Sequence, residues 1–355
     1  MRRSIEFWAV VGGLLCVIGM PGAGVAGCVL EDPEATLGAG GAGGAGANSS
    51  STASMNTTVG TGDEPSSSGA GGGGGGKPFS CDTNCYDADE LSTLVPNPLL
   101  NFAPGQVAYV KGTLASGSRE FTFSLGKTGI IRFETYSDSE SGVDCGDLDT
   151  VLEVKPETTE AFLIREERNG ISDCASLSAH LSSASSYKLK LSSNSPTNDS
   201  VNYILKIESA TPLSGMMGSN DCDKVNMGSI ATNNSDLVYC SGDVNLGIDK
   251  NTYTIKADGK SLFAEILEGT ATDDMSQCEN NSHDFTLVLK RGQTILVEDD
   301  DSGRGECPLI NGLGATRIHS KANAIDGEVT LEVSQPDSSD FTKTKYNLLV
   351  RLVQH

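Results

Sequence analysis

The sequence has one tryptophan, Trp8, and aromatic residues make up only 5% of its 355 positions. Ring platforms for sugars are therefore scarce, and any core must rest on Val, Leu and Ile with a few Phe and Tyr. Basic residues are short as well: 25 Lys and Arg stand against 47 Asp and Glu, a net charge of −22. Such a surface repels phosphates and anionic lipid heads, which argues against a nucleic acid partner. Only four histidines occur, His180, His283, His319 and His355. Neither His-Glu-x-x-His nor Gly-x-Ser-x-Gly is present, so two common hydrolase signatures are missing. His180 and His319 are expected at a shared surface position in related late strands. No window carries a long helical stripe.

What is there is a repeat. Phe121-Thr-Phe-Ser-Leu125 is matched by Tyr253-Thr-Ile-Lys-Ala257, and the run from Gly129 to Glu134 by that from Ser261 to Ile266. Asp149-Thr-Val-Leu-Glu-Val154 is matched by Asp284-Phe-Thr-Leu-Val-Leu289. Each copy then has a polar turn, Arg165 to Gly170 and Glu298 to Gly303. Each closes on two alternating runs, Tyr187–Leu191 and Tyr203–Ile207 against Val329–Val333 and Tyr346–Val350. Apolar and polar residues alternate with the period of half-buried strands, about eight per copy by pattern. The expectation is an all-β chain: two tandem antiparallel β-sandwich, jelly-roll-like domains over 81–211 and 219–355. Thr211 to Gly218 reads as the connector between them.

Ten cysteines are present. Cys16 lies in an apolar leader and Cys28 at its end. The other eight, an even number in an exported chain, read as a disulfide framework. Cys145 with Cys174 and Cys278 with Cys307 share one spacing and one strand context, so each copy is expected to close its own loop. For Cys81, Cys85, Cys222 and Cys240 three connectivities stay open. Cys81 with Cys85 and Cys222 with Cys240 is the preferred set. A zinc site at Cys81 and Cys85 is the rival, weakened by the lack of a second ligand pair nearby.

Met1-Arg-Arg, the apolar stretch Phe7 to Met20 and the small residues before Cys28 form the pattern of a secretory signal over 1–27. From about Leu37 to Lys77 the composition collapses to Gly, Ala, Ser and Thr. Such a segment buries too little apolar surface to offset its ordering entropy. Residues 28–80 are therefore expected to be a disordered Gly/Ser-rich linker, with a span of roughly 35 Å for its 40 or so low-complexity positions. Gly71 to Gly76 with Lys77 is not a phosphate loop, because Pro78 stands where Ser or Thr must meet the metal.

Val25-Ala26-Gly27-Cys28 resembles the lipobox of bacterial lipoproteins. That resemblance implies lipidation at Cys28, cleavage before it, and a membrane anchor that needs no spanning helix. Val29 after the cysteine resembles an outer-membrane address, which implies the envelope or surface of a Gram-negative bacterium. The repeats are similar to the bacterial pre-peptidase C-terminal domain. The residues that carry this are Phe121-Thr-Phe and Tyr253-Thr-Ile, the strands at Gly129 and Ser261, Leu148-Asp-Thr-Val-Leu with His283-Asp-Phe-Thr-Leu, and the closing Tyr strands. Ser261 then stands where that family has glycine. The resemblance implies a compact β-sandwich associated with secretion, stability or substrate contact, usually beside a catalytic domain.

The one chemical candidate is the acidic run Glu298-Asp299-Asp300-Asp301. Asp299, Asp300 and Asp301 carry the hard oxygen ligands that Ca²⁺ takes, although EF-hand spacing fails and a solvated turn is the plainer reading. Asp144, Asp147 and Asp149, with Glu166 and Glu167, form a second acidic group. No other cofactor is expected. The sequence thus reads as a non-catalytic, lipid-anchored protein whose sandwiches bind or scaffold an extracytoplasmic protein or polymer. The alternative is an accessory component of a secreted peptidase- or polysaccharide-associated hydrolase system.

Overall fold

The computed structural model describes residues 8–11, 14–17, 81, 83–114, 117–137, 149–160, 163–167, 174–194, 200–213, 221–222, 237–245, 250–269, 272–273, 278, 284–313, 319–335 and 343–353. The chain divides into two compact units, Met1–Ala70 and Gly71–His355. In the first unit, β1 (Trp8–Val11) pairs antiparallel with β2 (Leu14–Val17), an apolar hairpin within the stretch read as a leader. Cys28 and the Gly/Ser-rich linker lie outside the described residues.

The second unit is all-β. Its first strand set is β3 (Cys85–Asp87), β4 (Val107–Leu114), β5 (Ser118–Ser124), β6 (Gly129–Ser137), β7 (Thr150–Pro156), β8 (Ile164–Glu167), β9 (Ser176–Leu181), β10 (Ser186–Ser193) and β11 (Val201–Ser209). The second set is β12 (Thr211–Pro212), β13 (Val238–Asn245), β14 (Lys250–Lys256), β15 (Ser261–Glu268), β16 (Thr286–Arg291), β17 (Thr294–Asp299), β18 (Leu309–Asn311), β19 (Glu328–Ser334) and β20 (Lys343–Val353). Among the described residues the helical segments are short 3₁₀ turns, such as Leu91–Thr93 and Ser320–Ala322. None is long and apolar enough to cross a membrane.

Each set folds into a four-stranded and a five-stranded sheet with one topology. The first set runs β5-β10-β7-β8 and β3-β4-β11-β6-β9; the second runs β14-β19-β16-β17 and β12-β13-β20-β15-β18. The leading strand of each five-stranded sheet pairs parallel, β3 with β4 and β12 with β13. The other pairs within these four sheets are antiparallel. The duplication is therefore structural, strand for strand.

Register corrects the sequence alignment at one strand. Tyr203 faces Ser137 and Tyr346 faces Glu268, so Arg132 corresponds to Phe263 and Ile130 to Ser261. The alignment that sets Gly129 against Ser261 slips by one residue, which would swap the two faces of the strand. The pattern of β15 does not fix the face, because both of its faces are apolar and buried, Leu262, Ala264 and Ile266 on one and Phe263 and Leu267 on the other. The expected connector also shifts: Thr211 and Pro212 already belong to the second set's sheet, paired with Val238 and Tyr239.

Each sandwich closes on its own core. In the first, Phe123 meets Phe133 edge-on at 5.2 Å and stacks on Tyr187 at 5.5 Å. In the second, Phe285 meets Tyr346 edge-on at 5.8 Å, among Leu287, Leu289, Leu331 and Leu348. One pairing recurs in both. Gly112 lies opposite Tyr203, and Gly242 opposite Tyr346. A Cβ on Gly112 would stand 2.8 Å from the Tyr203 hydroxyl, and one on Gly242 would stand 2.6 Å from the Tyr346 ring. The ring lies across the bare glycine, so the position admits no side chain.

A third apolar cluster belongs to neither core. Ile130 and Ala210 from the first set pack with Leu237, Tyr239, Phe263, Leu267, Leu309 and Leu349 from the second. These residues lie on the outer faces of the two five-stranded sheets, so the sandwiches meet face to face.

Candidate functional site

The densest chemistry in the described chain sits in that contact. Alternation along β6 points Ile131 and Phe133 into the core and Arg132 and Glu134 outward. On β11 the outward residues include Lys206 and Glu208; on β15 and β20 they include Glu265 and Arg351. On an isolated sandwich these charges would face water. Here the partner sandwich covers them: Arg132, Glu134, Glu208, Glu265 and Arg351 are each 5% exposed or less.

They satisfy one another. Arg132 donates to Glu265 at 2.8 Å, to Glu134 at 3.0 Å and to the Ser178 hydroxyl at 3.0 Å. Its guanidinium also lies 4.2 Å from the centre of the Phe263 ring, a cation–π contact between corresponding positions of the two sets. Arg351 pairs with Glu208, which is again its own counterpart across the repeat, and sits 3.7 Å from Glu134. Lys206 pairs with Glu208 at 2.6 Å, and the Tyr136 hydroxyl donates to Glu134 at 3.0 Å. Three cations and three carboxylates thus balance. Two contacts join a residue to its own repeat equivalent, so the sandwiches meet about a local pseudo-two-fold axis.

The electrostatics follow from burial set against these partners. Burial alone would raise the Glu134 carboxyl, but Arg132, Arg351 and Lys206 together hold it well below the usual carboxylate range. Glu208 is treated the same way: burial pushes it up, and Arg351 and Lys206 bring it down further. Burial lowers the Lys206 ammonium, and Arg351 adds to that, so this lysine is the weakest cation of the group. A second latch lies nearby. The Asp273 carboxylate accepts from the Tyr187 hydroxyl at 2.7 Å, and the Asp273 N–H donates to the His180 carbonyl at 2.8 Å.

The acidic run does not converge. Strand alternation carries through β17 and turns Asp299 inward, 6% exposed, while Asp300 and Asp301 face solvent. Asp299 accepts from the backbone N–H groups of Ser302 and Leu309, at 3.1 and 2.8 Å, and lies 3.2 Å from His319 Nε2. Its carboxylate is spent on tying β17, the following turn and β18 together. Burial would raise it, but the bonds from His319, Ser302 and Leu309 keep it low. Glu166 is the register equivalent of Asp299 and is likewise buried. Among the described residues no three His, Cys, Asp or Glu side chains group as a metal site. Asp299 thus turns away from Asp300 and Asp301, and calcium at these three residues stays an expectation for the melting experiment given below. Asp144, Asp147 and His283 lie outside the described residues, as does His355.

The expected kinship of His180 and His319 is also corrected. His180 lies in β9 opposite Ile130, whereas His319 precedes the 3₁₀ turn at Ser320. Both ring nitrogens of His319 are engaged, Nδ1 accepting from the Asn311 N–H at 3.2 Å and Nε2 facing Asp299. A general base needs one nitrogen free for substrate.

The cysteines form bonds at Cys81–Cys85, Cys222–Cys240 and Cys278–Cys307, with Cα separations of 5.2, 5.0 and 4.9 Å. Cys81 and Cys85 are thus committed to each other and not to zinc. Cys174 is disulfide-bonded as well, and Cys145, its expected partner, lies outside the described residues.

No protein-family model matches the chain, and no curated protein does. Solved structures resemble it loosely. The pre-peptidase C-terminal domain of collagenase from Bacillus anthracis is 14% identical, over 31% of this chain and 94% of that one, with a TM-score of 0.24. The STIV MCP is 7% identical over 70% of this chain and 96% of that one, at 0.20. Tripeptidyl peptidase 2 is 8% identical over 71% of this chain and 24% of that one, at 0.24. The all-β architecture rests on the strands and sheets described above and not on these likenesses.

Proposed function

We propose that this chain is a non-catalytic lipoprotein of the bacterial envelope. Cys28 carries the lipid, the Gly/Ser-rich segment is the stalk, and the paired sandwiches are a rigid head that binds or scaffolds an extracytoplasmic protein or polymer. The observation that carries the reading is the buried, charge-balanced contact between the sandwiches. It spends the chain's densest charged cluster on holding two modules as one body, which suits a spacer or platform. The disulfides support an oxidising compartment. The engaged ring of His319 supports a structural role for the Asp299–His319 pair. The finer likeness to pre-peptidase C-terminal domains rests on the strand pattern of the sequence.

The test is fractionation of cells expressing the full chain and its Cys28→Ser variant, with mass analysis of the N-terminal peptide. The reading expects an acylated Cys28 peptide in the membrane fraction and release of the variant to the soluble fraction. An unmodified Cys28, or a variant that stays in the membrane, overturns it.

A further inference from the structure

Among the cysteines whose exposure is described, Cys174, Cys222, Cys240, Cys278 and Cys307 are at most 4% exposed. Cys81 and Cys85 differ. Both are half-buried, and Thr83 and Asn84 between them face solvent. An attacking thiolate must reach a sulfur along the S–S axis, so a sealed disulfide reacts only after the surrounding structure opens. Cys81–Cys85 also closes the shortest loop, a separation of 4 against 18 and 29 for the others described, and so gains least from loop-closure entropy.

The bond has a structural duty. Cys85 opens β3, which lies along β4, and the Asn84 carbonyl accepts from the Tyr109 N–H at 2.8 Å. Cys81 packs with Tyr109 on Tyr136 and Ile204. Tyr136 in turn donates to Glu134 of the buried charge network. The disulfide therefore clamps the first strand of the fold over one flank of the contact between the sandwiches.

We propose that Cys81–Cys85 is a reducible latch, a thiol–disulfide exchange site, and that its reaction partner is a dithiol reductant. A thiolate of the reductant attacks one sulfur, forms a mixed disulfide and expels the other cysteine as a thiolate, which takes up a proton. The reductant's second thiol resolves the mixed disulfide. The protein gains two electrons and two protons as two thiols, and the reductant leaves as its own disulfide. Reduction unties Cys81 from β3 and lets water reach Tyr136.

The test is graded dithiothreitol on the folded full chain, followed by iodoacetamide and peptide mass analysis. A sample reduced in denaturant defines complete labelling. Expected is alkylation of Cys81 and Cys85 with rates about a hundredfold or more above those of Cys222, Cys240, Cys278 and Cys307, whose reaction waits on opening of the fold. Equal rates, or Cys81 and Cys85 unlabelled while the fold persists, overturn the exchange site. A Cys81→Ser, Cys85→Ser variant tests the latch separately. Amide exchange at Tyr109 and Ala88 should quicken at least tenfold while cooperative unfolding is kept. Unchanged exchange there overturns the latch.

Discussion

The repeat sets one hydroxyl in two environments, and the same substitution should act with opposite sign in each. Tyr346 is fully buried, and its hydroxyl meets the Tyr253 hydroxyl at 2.5 Å and accepts from the Asn251 amide at 2.7 Å. In the first sandwich the register puts Phe121 where Tyr253 stands and Arg119 where Asn251 stands. Phenylalanine offers no hydroxyl, and Arg119 turns to Asp89 at 2.5 Å. The Tyr203 hydroxyl is left buried with no hydrogen-bond partner among the described residues. Burial pushes its pKa up to about 12. Tyr346→Phe removes a hydroxyl bonded to both Tyr253 and Asn251, a loss of about 2 kcal/mol. Tyr203→Phe removes an unsatisfied one and relieves its desolvation, a gain of about 1 kcal/mol. The two variants should thus differ by about 3 kcal/mol, over a hundredfold in the folded-to-unfolded ratio. Urea unfolding reads this as midpoints shifted in opposite directions at unchanged slope. Were Tyr203→Phe to destabilise as much as Tyr346→Phe, the Tyr203 hydroxyl would have a partner and the reasoning would fail.

Arg351→Ala should cost about 3–5 kcal/mol, because Glu134 and Glu208 stay buried without their shared cation; a change below about 1 kcal/mol in urea unfolding would mean that water already reaches the network. Glu134, Glu208 and Asp299 are all held low in the folded state, so their contribution is present above the unfolded values and lost as pH falls through the folded ones. Stability should therefore decline as pH drops below about 4.5, and Glu134→Gln should flatten part of that slope in an acid titration followed by circular dichroism. Loss of the Cys278–Cys307 bond through a double Ala variant should cost about 3–4 kcal/mol by loop entropy, measured by urea midpoint. Ca²⁺ should leave the melting temperature unchanged, since Asp299 is committed to backbone donors; a rise of several degrees would restore the cation site.

The strand set was legible because alternation is strong where one face is solvated, as in Tyr187–Leu191 and Val329–Val333. It failed where both faces are covered. β15 is apolar on both faces, Leu262, Ala264 and Ile266 on one and Phe263 and Leu267 on the other, so its pattern does not distinguish them and the alignment slides by one. The charged contact was hidden for a related reason. Arg132, Glu134, Lys206 and Glu208 alternate with core residues as a solvated face would, and period two does not say what covers that face. Their crowding on two adjacent strands was the available signal. At the acidic turn the strand that ends there fixes the direction of Asp299, which its sequence neighbours do not show.

Only Ala210 separates β11 from β12, and its buried N–H donates to the Ile130 carbonyl at 2.8 Å. So short a covalent link makes docking of the second sandwich a unimolecular event, at an effective concentration in the millimolar range or above. A pairing that spends much of its Coulomb attraction on stripping water from six ions would be weak between free chains. Joined through one residue, its occupancy does not fall with dilution.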